Sequence, residues 1–239
     1  MEQIQYDSIG RYHSFSSVYT NLMSKVFTWM TFALIITGVT AYGVAGSPTL
    51  LRTLFTSNSL FLGLLLTQMV LVLVLNAVLN RLSVVMATFL FILYSVLNGV
   101  LLSGIFVLYS MASIFKVFFI TAGTFGTMAL YGYCTRKNLA SMGKILFMAL
   151  IGLVIATVAN LFMKSSGLEY IISYVGVVVF SGLTAWDMQK IKRLLQREYE
   201  DNESTQKMCL LGAMTLYLDF VNLFLNFVKI LGNRKKSNN

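Results

Sequence analysis

Long stretches without a single charged side chain decide what solvent this chain can fold in. No Asp, Glu, Lys or Arg occurs from Thr53 to Asn80, Leu82 to Phe115, Val117 to Thr135, Ile145 to Met163 or Tyr170 to Trp186. Another such stretch, Met208 to Val228, is interrupted only by Asp219. A helix needs about 20 mostly apolar residues to cross the hydrocarbon of a bilayer. Each stretch approaches or exceeds that length, and Val26 to Gly46 adds one more, which makes seven expected spans. Charged residues are 11% of the chain, against roughly 25% in soluble domains. The expected fold is therefore all-α and membrane-integral, with seven transmembrane helices in one domain over 1–239. A polar N-terminal segment, 1–25, precedes the first span, and a short basic tail, 232–239, follows the last.

The net charge of +9 is explained by the excess of Lys and Arg in cytoplasmic loops rather than by a nucleic-acid partner. With the N-terminus cytoplasmic, eleven basic residues fall inside and six outside, including Arg234, Lys235 and Lys236 of the tail. The first 25 residues are polar and include Glu2 and Asp7, unlike a cleavable signal peptide, so the N-terminus is expected to be retained. Cys134 and Cys209 lie outside any CxxC pattern and read as free thiols. Gly46, Ser47 and Pro48 end the first span, because proline disfavours helical geometry in the residue before it. In the longest connection, Asp187 to Lys207, the first part has helix-forming composition and Asp201 to Thr205 reads as the turn.

Asp219 sits in "LYLDFVNLFLNFVKI", where an ionised side chain at bilayer depth costs at least ~2.5 kcal/mol. Gly212, Thr215, Asp219, Asn222 and Asn226 fall within about 60° of one direction on the last helix. Such a polar stripe must avoid lipid, so the last span is expected at the centre, wrapped by the other six or lining a watery cavity. Asn and Thr also serve as glue between helices, but glue requires no charge.

Of the nine acidic residues only Asp187 and Asp219 fall near the membrane core, Asp187 close to the cytoplasmic boundary. It ends the sixth span in "FSGLTAWDMQKIK", where the competing reading is a solvated carboxylate facing Lys190 or Lys192. Two carboxylates sharing a low-dielectric site cannot both ionise cheaply and titrate as a unit. The available cation is Arg81, alone between spans two and three, which also serves as a topology marker.

At these residues the chain resembles the transmembrane Bax inhibitor motif family, specifically its bacterial inner-membrane branch. The resemblance is carried by "GLTAWDMQKIK", "LGAMTLYLDFVNLFL" and "TAGTFGTMALYGYCTRKNLASMGKILFMALIGLV", with "LYSVLNGVLLS" in the first half. It implies a seven-span fold with a central last helix and a pH-sensitive calcium or cation leak in the inner membrane. It further implies that Asp187 and Asp219 share a proton and that Arg81 latches the closed state. Asn222, Asn226 and Thr215 become candidate pore-lining groups, and the two aspartates the candidate cation ligands. Some members carry an acidic residue in span two, where this chain offers Gln68, Asn76 and Asn80.

No cofactor is expected beyond a transported ion, and no enzyme activity. The only histidine, His13, lies in the N-terminal segment, which removes Ser-His proteolysis and a histidine metal site. Paired aspartates also suit an intramembrane aspartyl protease, but "LYLDF" lacks the GxGD pattern of that class. The remaining alternative is a regulatory protein that binds other membrane proteins, such as a quality-control protease.

Overall fold

The computed structural model describes the backbone of residues 2–78, 81–198 and 200–235. The side chains of residues 1–17 and the tail from Lys236 to Asn239 lie outside the described residues, as do Asn80 and the side chain of Asn76. Among the described residues eight helices follow in order: α1 (Glu2–Ala45), α2 (Pro48–Thr56), α3 (Asn58–Val78), α4 (Val84–Leu108), α5 (Met111–Cys134), α6 (Ala140–Met163), α7 (Ser166–Leu195) and α8 (Glu203–Leu231). Six of them, α1 and α4 to α8, are each long and apolar enough to cross a membrane.

The expected second span, Thr53 to Asn80, is not one helix. It breaks at Ser57, and α2 and α3 meet at 86°. The local cause is capping. Ser57 is extended, at φ −96° and ψ 97°, and its hydroxyl accepts from Leu60 N at 3.4 Å, which starts a new helix. Ser47 caps α2 in the same way, and Pro48 follows in its first turn, where proline is tolerated. A second correction concerns the Asp201–Thr205 turn. Asn202 accepts from Thr205 N at 3.0 Å, so α8 already begins at Glu203.

Pairs of contacts give the helix directions. Thr37 bonds to Ser95, Gly99 lies against Thr40, and Tyr42 stacks on Phe106, so α1 and α4 run parallel. Gly143 meets Trp186 while Leu146 meets Gly182, so α6 and α7 run antiparallel. Ile191 meets Gly212 and Asn226 meets Gly176, so α7 and α8 are antiparallel too. The ends of α1, α4, α6 and α8 thus share one face with the starts of α5 and α7. On that face Gly232 to Lys235 dock on the α4–α5 connection, with Lys235 N bonding Leu108 O at 2.9 Å and Ser113 Oγ accepting from Asn233 N at 2.9 Å. On the opposite face Lys25 of α1 pairs with Asp201 of the α7–α8 connection.

α8 is the most buried helix. In its most apolar eighteen residues 61% are buried, against 44% for α7 and none for α6. It packs on α1, α4, α5 and α7. Phe118 and Phe125 of α5 hold it through Phe220 at 5.5 Å each.

Candidate functional site

Asp187 and Asp219 are both buried on helices that pack against each other, α7 and α8. The two carboxylates interact electrostatically across the helix interface and are 7% and 5% exposed. Asp219 lies sixteen residues from the start of α8 and twelve from its end, about 24 Å and 18 Å along the axis. It is therefore well inside the layer. Its Oδ2 is buried without a hydrogen-bond partner. A buried carboxylate oxygen lacking a donor is costly, and either a proton or a cation can complete it.

Asp187 is buried rather than solvated, which corrects that part of the competing reading. Lys190 acts on it electrostatically, but neither neighbouring lysine forms an ion pair with it. Lys190 places its ammonium 5.3 Å from the Trp186 ring, and Lys192 stands 4.7 Å from the Tyr133 ring while bonding Tyr133 O at 2.7 Å. Among the described residues no ion pair reaches either aspartate.

Close packing holds the α7 end of the pair in place. A Cβ on Gly132 of α5 would lie 2.1 Å from Ala185 O, and one on Gly143 of α6 would lie 2.2 Å from the Trp186 ring. Only hydrogen fits at either place. One turn further, Gln189 accepts from Leu139 N at 2.9 Å and donates to Lys137 O at 2.8 Å, clamping the α5–α6 connection. Gly132→Ala is expected to force α5 from α7 and lower stability by about 1–3 kcal/mol, as overpacking does. Thermal unfolding in detergent measures it, with Gly126→Ala, whose Cβ meets nothing within 4 Å, as the unaffected control.

The other stripe residues face inward but satisfy themselves locally. Thr215, Asn222 and Asn226 donate to Leu211 O, Leu218 O and Asn222 O at 3.0, 2.8 and 2.7 Å. Arg81 stands apart. It is exposed in the connection between α3 and α4, and the structure does not bring it to the pair. Among the described residues no group of three His, Cys, Asp or Glu could hold a metal.

Sequence reasoning missed Tyr217, which is fully buried. Asn98 Nδ2 donates to its hydroxyl at 2.9 Å, the hydroxyl meets Thr37 Oγ1 at 2.7 Å, and Thr37 donates to Ser95 O at 2.9 Å. This chain ties α8 to α1 and α4 two residues before Asp219. A tyrosine inside an apolar run gives little sign of it, although Asn98 marks its other end.

Residues 20–236 match the family model described as inhibitor of apoptosis-promoting Bax1. The chain is 46% identical over 214 residues to the inner membrane protein YbhL of Escherichia coli K12, covering 89% of this chain and 92% of that one. It is 43% identical over 213 residues to a protein of Borreliella burgdorferi, covering 89% and 92%. A Rickettsia prowazekii protein is 40% identical over 213 residues, covering 89% of each.

Proposed function

The chain belongs to the Bax inhibitor family, and from that membership we propose that it is a pH-sensitive cation leak of the bacterial inner membrane. The observation that carries this reading is the burial of Asp187 and Asp219 on the packed helices α7 and α8, with Oδ2 of Asp219 unpartnered. A proton on the pair removes charge between α7 and α8, and a cation competes for the same oxygens. Calcium prefers six to eight oxygen ligands, and two carboxylates supply too few for a dedicated site. The pair therefore suits passage better than storage, with carbonyls and the Asn222 and Asn226 side chains completing a transient shell. Arg81 enters as a closed-state latch only if the α3–α4 connection moves inward.

In this account α8 is the central helix and the bent α2–α3 pair is the seventh crossing. Two observations support that. α8 is the most buried helix, and the parallel course of α1 and α4 obliges the chain between them to return across the layer. With the N-terminus cytoplasmic, seven crossings put the C-terminus outside. A reporter fused after Asn239 is expected to be active only in its periplasmic form, and cytoplasmic activity overturns the seven-crossing count.

A second reading, a regulatory protein binding other membrane proteins, is favoured by α6. Among the described residues that helix packs chiefly on α7 and turns Phe147, Met148, Ile155 and Phe162 outward. Reconstituted protein separates the two readings. A leak passes calcium or monovalent cations into vesicles without any partner, and a binding protein leaves them as tight as empty ones.

A further inference from the structure

Beside the central helix the bundle is open along one side. α5 packs on α7 and α8, and α4 on α1, α3 and α8, which leaves a groove of about 630 Å³ between α1, α4 and α5 with Phe220, Val221 and Phe224 as its floor. Its size falls within the about 300–1,000 Å³ of ligand pockets. Ile35, Val39 and Phe115 on its walls are exposed, so it opens to the surrounding hydrocarbon.

The groove runs along α1 from Thr31 to Tyr42, about 16 Å at helical rise. That is about half of a ~30 Å hydrocarbon layer. It begins at the face bearing the tail and ends near mid-layer, which is the reach of one leaflet. At its rim Lys235 Nζ donates to the carbonyl of Phe106, a wall residue, at 2.9 Å. An ammonium has three donors, Lys235 is exposed, and among the described residues no carboxylate pairs with it. The tail face is strongly basic. Its described charges are Arg52, Lys116, Lys164, Lys229, Arg234 and Lys235 against Glu169, and Glu169 is engaged by Lys229 at 3.9 Å.

We propose that this groove is a phospholipid site: one acyl chain lies on Phe220 and Phe224, and the anionic headgroup phosphate sits at Lys235. Chain and headgroup are recognised separately, the chain by apolar shape and the phosphate by charge. Neither aspartate lines the groove, so neither proposal depends on the other.

The test is native mass spectrometry of the full-length protein, delipidated and titrated with phosphatidylglycerol or phosphatidylcholine of identical chains. Wild type is expected to retain one lipid, with about fivefold preference for phosphatidylglycerol, the effect of one surface lysine. Gly38→Leu fills the groove at a position where a Cβ meets nothing within 4 Å; it should fold normally and lose retention of both lipids. Lys235→Gln should keep retention and lose the preference. Wild-type-like retention by folded Gly38→Leu, no headgroup preference in wild type, or an unchanged preference in Lys235→Gln each overturns the proposal.

Discussion

Tyr217→Ala is expected to lower stability by about 3–5 kcal/mol, the usual cost of removing a buried aromatic ring. Three separate losses add up there. The ring is fully buried and packs edge-on against Phe91 at 5.9 Å and Tyr94 at 6.0 Å. Its removal leaves a hole between α1, α4 and α8 that these long helices cannot close by shifting one side chain. Asn98 then loses its acceptor and Thr37 its neighbour. Tyr217→Phe keeps the ring and removes only the hydroxyl, so it should cost about 0.6–1.7 kcal/mol, the range for hydrogen bonds between membrane helices. Denaturant unfolding of purified protein in detergent measures both. Equal effects of Ala and Phe would mean that the hydroxyl chain, and not the packing, fastens α8.

The second large effect is expected at the aspartates. Asp219→Asn keeps size and shape but removes the proton-binding charge at the Oδ2 position, so folding should survive. Among the described residues no lysine or arginine forms an ion pair with Asp219, which leaves Asp187 as the carboxylate that interacts with it. Asp187→Asn should act on the same function, since the two carboxylates interact electrostatically. The double variant should resemble either single one, because groups that titrate as a unit are lost as a unit. A binding module, by contrast, should tolerate all three.

Much of this was legible in the sequence, for physical reasons. Absence of charge over about 20 residues marks a crossing, because nothing else stabilises such a run in water. The stripe from Gly212 to Asn226 marks the helix that must avoid lipid, and α8 is the most buried. The depth of Asp187 was not legible, because helical rise alone cannot say how far two helices slide past each other. Gly176 against Asn226 and Gly212 against Ile191 set that slide, and a glycine in an apolar run does not reveal which side chain it meets. The break at Ser57 escaped notice because hydropathy continues across it, whereas a single serine cap decides the direction of the chain. Tyr217 escaped because it points away from the stripe toward α1 and α4. Arg81 shows the reverse case: its place in the chain suggested a partner, but it stands exposed in its connection.

The account rests on the aspartate pair acting as a proton-controlled element of a leak. The most direct measurement is cation flux into proteoliposomes between about pH 5 and 8, the range over which a proton switch has meaning in cells. Wild type, Asp187→Asn and Asp219→Asn are compared in vesicles of one composition, with calcium and a monovalent cation as separate probes. The expected result is flux above empty vesicles that changes with pH in wild type and is flat in both variants. Flux that keeps its pH dependence in both variants, or wild-type flux no greater than that of empty vesicles, contradicts it.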